Sequence, residues 1–454
     1  MAKVKTTYIC QSCGYESPKW MGRCSECGEW NSFVEEVKKK GKKISTKSYQ
    51  KSRVSSISDI PLIDKHRMVT GISEFDRVVG GGIVKGSIFL IGGSPGIGKS
   101  TLLLQICHHL AGKDKKVLYV TGEESLTQIK IRARRLSIDS GNYLLLDETD
   151  VDSIIEHIND LKPDLVVVDS VQTLSSTELE SLPGNVSQVR YCGYKLTECA
   201  KKVQIPIFMI GHVTKQGSIA GPRVLEHLID GLLIMEGDQQ HLYRILRGVK
   251  NRYGSTSEVG LFEMTDQGVR EVKNPSELLI SQRSENTPGS VVTVSMEGTR
   301  PLMVEVQALV SPTSYGIPQR TCTGVEQKRL SIILAVLEKR VRLKLGNQDV
   351  FVNAAGGIKL REPGVDLSIA LSTVSSLKNK SIESSTAVIG EVGLTGEVRG
   401  VSQMEKRVSE AERLGFKQVI LPKVSLQKIR KNNKIALKGV LSVNDAVDHL
   451  FKKG

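Results

Sequence analysis

Aromatic side chains are scarce in this chain, at 4% of 454 residues. Aliphatic residues must therefore build the cores, and a hydrophobic content of 39% is enough for globular folding. No run of about 18 apolar residues occurs, which argues against a membrane-spanning helix. The opening Met-Ala-Lys-Val-Lys-Thr-Thr-Tyr-Ile-Cys lacks the apolar stretch of a secretory leader, so the expected location is the cytoplasm. Acidic residues are in deficit, 49 against 63 basic ones, which gives a formal charge of +14. Such a surface attracts polyanions by Coulomb force and counterion release, and nucleic acid is the commonest polyanion. The competing reading is that the excess charge serves solubility alone.

What is present divides the chain. Residues 1–37 hold four of the eight cysteines. Residues 38–57 form a Lys- and Ser-rich basic linker that includes Lys38-Lys39-Lys40-Gly41-Lys42-Lys43, a composition that buries too little to fold alone. From 58 to 273, short apolar runs alternate with amphipathic stretches. Strands are predicted at Ser87–Ile91, Val117–Val120, Leu165–Val168, Ile207–Ile210, Leu232–Met235 and Leu242–Leu246, with a helix over Ser100–Leu110. That alternation implies an α/β domain with a mainly parallel sheet covered by helices. Asn274-Pro275-Ser276 marks a boundary, and 274–454 forms a further domain with helices predicted over Gln327–Val341 and Gln403–Leu414.

The first cysteines read Cys10-x-x-Cys13, then ten residues, then Cys24-x-x-Cys27, with Gly14 and Gly28 following each pair. A two-residue gap lets both thiolates of a knuckle face one ion, and two knuckles make a tetrahedral zinc site. Four cysteines close the site, so the zinc is structural. A redox dithiol is the alternative. Cys107, Cys192, Cys199 and Cys322 read as small buried hydrophobes.

Gly93-Ser94-Pro95-Gly96-Ile97-Gly98-Lys99-Ser100-Thr101 satisfies G-x-x-x-x-G-K-S/T, between an apolar strand and an amphipathic helix. In such a loop backbone N–H groups cradle the phosphates of ATP. Lys99 bridges the outer phosphates, Ser100 ligates Mg2+, and Thr101 steadies a phosphate at the helix start. Leu165-Val166-Val167-Val168-Asp169 ends in a carboxylate at a strand's carboxyl end, where ligands gather, so Asp169 is expected to hold the magnesium. Glu123, or its neighbour Glu124, follows the second strand and is expected to orient the attacking water. One of the two could instead cap the next helix. RecA-type ATPases carry a catalytic glutamate at this point.

Together these features resemble the bacterial RadA (Sms) family of DNA-repair ATPases, over essentially the whole chain. Thr70-Gly71-Ile72-Ser73-Glu74-Phe75-Asp76-Arg77-Val78-Val79-Gly80-Gly81-Gly82 resembles the segment leading into that family's phosphate loop. Lys250-Asn251-Arg252-Tyr253-Gly254 resembles its Lys-Asn-Arg-Phe-Gly hallmark, with Tyr253 in place of Phe. The resemblance implies a RecA-like core and a hexameric ring, in which Lys250 and Arg252 reach the neighbouring subunit's ATP. A solvated basic strand end is the plainer reading of those cations. It also implies a DNA-dependent ATPase that promotes branch migration beside a RecA-type recombinase, on single-stranded and branched DNA. Two loops, Pro183–Arg190 and Lys215–Arg223, are expected to line the DNA path through Arg190, Lys215 and Arg223, near the possible sensor His212-Val213-Thr214-Lys215.

Residues 349–454 resemble the α+β proteolytic domain of Lon, through Arg361-Glu362-Pro363-Gly364-Val365-Asp366-Leu367-Ser368 and Gly390-Glu391-Val392-Gly393-Leu394-Thr395-Gly396-Glu397-Val398. The alignment puts Asp366 at the nucleophilic Ser position. Glu405 stands at the Lys position, with Lys406 beside it. A scaffold without protease activity is the expectation. The remaining alternatives are a Lon-type protease, or a ring in which ATP acts only as a switch.

Overall fold

The structure, a computed structural model, describes residues 5–11, 13–38, 56, 67–138, 141–212, 225–237, 243–281, 283–284, 286–313, 316–429 and 434–451. The chain divides into two compact units, Met1–Glu271 and Val272–Gly454. The linker expected at 38–57 lies, except for Lys38 and Ser56, outside the described residues.

The first unit begins with a small antiparallel sheet of β1 (Lys5–Cys10), β2 (Glu16–Ser17) and β3 (Phe33–Lys38), in the order β2-β1-β3. Among its described residues the buried cluster is Cys10, Cys24 and Phe33, with Tyr8, Cys13, Tyr15, Met21 and Cys27 packed against it. So small a core cannot hold a fold by itself, and a metal is the natural staple.

The main sheet has nine strands: β4 (Ile88–Gly93), β5 (Val117–Thr121), β6 (Tyr143–Asp147), β7 (Leu165–Asp169), β8 (Ile207–His212), β9 (Gly231–Glu236), β10 (Tyr243–Asn251), β11 (Val259–Thr265) and β12 (Gly268–Glu271), in the order β12-β11-β10-β9-β4-β8-β7-β5-β6. The strands from β9 to β6 are parallel, and β10 to β12 extend that sheet as an antiparallel edge. Ile88–Gly93, Val117–Thr121 and Leu165–Asp169 are buried at every position, as strands covered on both faces must be. Helices α1 (Ser73–Val79), α2 (Lys99–Ala111) and α3 (Leu126–Arg135) pack on one face, around Phe75, Leu103, Ile106 and Ile129. Helices α4 (Val151–Leu161) and α5 (Val186–Val203) cover the other, through Ile154, Ile158, Val189 and Leu196.

The second unit contains α6 (Pro275–Ile280), β13 (Ser290–Glu297), β14 (Arg300–Pro312), β15 (Arg320–Thr323), α7 (Gln327–Arg340), β16 (Gln348–Ala354), α8 (Asp366–Lys378), β17 (Thr386–Val388), β18 (Glu391–Val392), β19 (Val398–Arg399), α9 (Met404–Arg413), β20 (Gln418–Pro422), β21 (Ala436–Val440) and α10 (Val443–Phe451). Seven of these strands form a mixed sheet in the order β15-β16-β14-β13-β17-β20-β21.

Two local expectations shift, and a third lies outside the described residues. The strand predicted at Leu242–Leu246 runs instead from Tyr243 to Asn251, so Lys250 and Asn251 end it. The segment Pro183–Arg190 is loop only as far as Asn185, which places Arg190 in the second turn of α5. Lys215 and Arg223, with Val213, Thr214, Gly217 and Gly221, lie outside the described residues, as does the side chain of His212.

Candidate nucleotide site and its companion motifs

The phosphate loop joins β4 to α2 at the carboxyl end of the parallel strands. Gly98 caps α2 in the left-handed region at φ 112°, and a Cβ there would meet Met264 Sδ at 3.0 Å, so only glycine suits the turn. Ile97 is buried beneath the loop, while Ser94, Pro95 and Gly96 face solvent. Lys99 is only 4% exposed, and its ammonium donates to Gly93 O at 2.8 Å and Ser94 O at 3.0 Å. Burial lowers its pKa, and the nearby carboxylates of Asp169 and Glu123 oppose that shift. Lys99 is thus within the field of both carboxylates that the sequence singles out separately.

Asp169 ends β7 and is 8% exposed. Tyr119 on β5 stands opposite Val167. Asp169, two residues on, shares Val167's face and occupies the diagonal that a tyrosine can span. The Tyr119 hydroxyl donates to Asp169 Oδ2 at 2.6 Å. Burial, then the Asp169 charge, push that phenol's pKa well up, so it remains a donor. Among the described residues no hydrogen bond reaches Asp169 Oδ1. This pairing is invisible in the sequence, because it depends on the β5–β7 register.

Beyond β5 the chain turns through Gly122. Glu124 is ion-paired with Arg132 of α3, and its N–H donates to Thr121 Oγ1 at 3.2 Å. Glu123 is exposed beside the loop. Neither glutamate caps α3. Ser125 does so, in a reciprocal capping box with Gln128.

The pentapeptide is organised by a residue that sequence reading missed. Asp230, 1% exposed, accepts from Arg252 Nη1 at 3.2 Å, the Tyr253 hydroxyl at 3.1 Å, the Ile88 N–H at 3.1 Å and the Lys201 ammonium. Asn251 Nδ2 donates to Val78 O at 3.1 Å, tying the motif to α1. A Cβ on Gly254 would lie 2.8 Å from Gly80 Cα, so the motif docks where α1 ends. The Lys250 ammonium donates to Glu226 O, and burial followed by repulsion from Arg252 lowers its pKa. The Arg252 side chain remains 57% exposed. This cluster sits at the start of β4, with Asn251 opposite Gly231 and Gly231 opposite Phe89. The phosphate loop leaves the far end of that strand, after six residues, roughly 16 Å away at about 3.3 Å per residue.

The four ribbon cysteines converge, with every Sγ within 4.8 Å of the others. Cys10 and Cys27 are 3.7 Å apart, and Cys13 and Cys24 are 3.5 Å apart. Tetrahedral zinc with bonds of about 2.3 Å puts sulfurs about 3.8 Å apart, so this donor set fits. The N–H groups of Gly14 and Gly28 donate back to Cys10 O and Cys24 O, closing each knuckle. Burial raises the Cys13 and Cys27 thiols, a penalty that a dication removes. Gln11 of the ribbon accepts the Val186 N–H at the start of α5. Arg190 shares the adjoining cleft wall with Glu16, Glu35, Glu178 and Glu180.

In the second unit Asp366 opens α8 at 2% side-chain exposure, clamped by Arg329, whose Nη2 lies 2.8 Å from Oδ2. The Val392 N–H adds a third bond at 3.2 Å. Ser368 is fully buried and donates to Val365 O at 2.6 Å. Glu405 and Lys406 are exposed on α9. The adjacent Arg407 is fully buried and bidentate to Glu362 at 2.6 Å.

Protein-family comparison matches residues 57–218 to the AAA domain, residues 8–35 to the rubredoxin metal binding domain, and residues 309–425 to subunit ChlI of Mg-chelatase. The chain is 52% identical over 452 residues to the DNA repair protein RadA of Bacillus subtilis, covering 98% of this chain and 99% of that protein. It is 50% identical over 453 residues to the DNA repair protein RadA of Halalkalibacterium halodurans, covering 99% of each. The DNA repair protein RadA of Listeria monocytogenes is 49% identical over 451 residues, covering 98% of this chain and 99% of that protein.

Proposed function

The chain belongs to the family of the bacterial DNA repair protein RadA, and from that premise we propose that it is a ring-forming, DNA-dependent ATPase that moves on single-stranded DNA and drives branch migration in the cytoplasm. In this reading Gly93 to Thr101 cradle the phosphates, and Lys99 neutralises charge on the outer ones. Ser100 and Asp169 would hold Mg2+, which supplies Lewis-acid neutralisation at the phosphates when bound. Glu123 orients the water, from a position whose charge reaches Lys99 of the phosphate loop.

The observation that carries the ring is the separation of the two cation sets. Lys250 and Arg252 lie at the opposite end of β4 from the loop that holds Lys99. They are out of reach of their own subunit's phosphates, yet Arg252 projects into solvent from a buried anchor, where a neighbour's ATP could meet it. A hexamer is the expected closure. The DNA path is assigned to Lys215 and Arg223 more than to Arg190, whose cleft carries four carboxylates. A RecA-type recombinase is the proposed partner on branched DNA. No proteolysis is assigned, because Asp366 is clamped by Arg329 and Ser368 is turned inward.

The test measures ATP hydrolysis with and without single-stranded DNA. Lys99→Ala and Arg252→Ala should each be nearly inactive, and Glu123→Gln should lose far more than Glu124→Gln. Mixing the two inactive variants should restore about a quarter of wild-type activity, since one interface in four then pairs an intact loop with an intact finger. No recovery on mixing would defeat the finger assignment. Hydrolysis indifferent to DNA would defeat the motor and favour the switch.

A further inference from the structure

Both tryptophans of the chain lie in the zinc ribbon, and both are exposed, Trp20 to 54% and Trp30 to 67%. An indole is among the largest apolar groups a fold can bury. A domain whose core is Cys10, Cys24 and Phe33 forgoes its two best candidates, which packing does not explain. The rings lie on one hairpin. The Trp20 ring sits 3.8 Å from the position a Cβ would take on Gly22. Gly22 O accepts the Asn31 N–H at 2.8 Å, and Arg23 pairs with Trp30 across a short bridge. The Arg23 guanidinium lies 5.6 Å from the Trp30 ring centroid and is anchored by Nε donation to Gly28 O at 3.0 Å.

The charge around the rings narrows the partner. Between Lys19 and Trp30 the charged side chains are Lys19, Arg23, Glu26 and Glu29, all exposed, so the charge of this stretch balances. A duplex offers this surface mainly phosphates, which a balanced surface binds weakly. An unpaired strand offers base faces, which stack on indoles whatever the sequence. We propose that the zinc ribbon is a single-stranded nucleic-acid stacking surface, with Trp20 and Trp30 as base platforms and Arg23 as the cation that fixes Trp30 and meets the backbone. The zinc knuckle built on Cys24 and Cys27 holds the two platforms in place. This contact is separate from the DNA path assigned to the ATPase domain and does not depend on it.

Because the tryptophans occur nowhere else, red-edge excitation reports on the ribbon alone. The zinc-loaded full chain would be titrated with oligothymidylate and with a hairpin duplex, and binding followed independently by the anisotropy of labelled DNA. Saturable quenching by oligothymidylate and little quenching by duplex are expected. Trp20→Ala and Trp30→Ala should each weaken the quenching interaction about tenfold, and Trp→Phe should restore much of it. Retained zinc in each variant shows that the knuckle still folds. Emission unchanged while the labelled oligonucleotide is bound would overturn the proposal. So would equal quenching by duplex, or quenching that appears only with an added partner protein.

Discussion

Two buried aspartates, one in each unit, sit where the sequence patterns of two enzymes place a working group. Asp169 ends a strand beside a phosphate loop, and Asp366 opens a helix at a position that resembles a protease nucleophile. Their surroundings differ in what is left over. Asp169 has one oxygen held by Tyr119, no hydrogen bond to the other among the described residues, and a charge that reaches Lys99. Asp366 spends both oxygens on Arg329 and a backbone N–H. A carboxylate with spare acceptor capacity can take a cation, whereas one saturated by its own protein can only brace a fold.

Exchanging each for its amide would test that contrast most severely. Asp169→Asn should lower ATP turnover by about a hundredfold or more while leaving unfolding nearly unchanged, since the loss falls on charge stabilisation at the phosphates. Asp366→Asn should do the reverse. It strands the Arg329 guanidinium, 25% exposed, and should cost the second unit about 3 kcal/mol by denaturant unfolding, with turnover per folded molecule close to wild type. If Asp366→Asn stops hydrolysis without loosening that unit, the division of labour is wrong.

The same contrast explains what could be read without coordinates. The phosphate loop and the two cysteine knuckles are contiguous patterns whose spacing is itself the geometry. Asp169 was legible because an apolar run must end somewhere, and a carboxylate ending is conspicuous. The β5–β7 pairing was not, since Tyr119 looks like any strand aromatic until register puts it diagonal to Asp169. Asp230 is drawn into contact with Lys201, Arg252 and Ile88 from three other elements, a convergence no local window contains. Strand β6 is not legible in the sequence because a half-buried edge strand of five residues lacks the buried run of its neighbours. The Gly and Arg pattern at 183–190 suggested a loop, but Asn185 marks the start of a helix there. Buried Arg407 is not singled out by sequence, because the protease comparison points to Glu405 at the Lys position and to Lys406 beside it.

Asp230 extends the comparison to a third aspartate, saturated like Asp366 yet placed under the functional motif. Burial alone would raise its pKa, but the Lys201 ammonium, the Ile88 N–H and the Tyr253 hydroxyl bring it below the ordinary 3.8. A depressed folded value means that its stabilisation is complete above the unfolded value and is lost as pH falls through the folded one. Unfolding midpoints should therefore fall as the medium is acidified below about pH 4. Asp230→Asn should flatten that limb and cost about 2 kcal/mol at neutral pH. An unchanged acid limb in the variant would show that other carboxylates set it.

The smallest effect should come from one hydroxyl, and it asks whether the spare oxygen of Asp169 is spare by design. Tyr119→Phe keeps the ring in the core, where Tyr119 is 1% exposed, and removes only the donor at 2.6 Å. The freed Asp169 carboxylate can then rotate, so the oxygen proposed to take magnesium is no longer held in one orientation. The Mg2+ concentration for half-maximal hydrolysis should rise about tenfold, the size of one charge-assisted hydrogen bond, while turnover at saturating Mg2+ stays within a few fold. The change should hold from neutral to mildly alkaline pH, because burial and the Asp169 charge keep the phenol protonated there. A fall in saturated turnover with the Mg2+ dependence unmoved would mean that Tyr119 does not act through Asp169, and the contrast between an open and a closed carboxylate would then rest on Asp169's position alone.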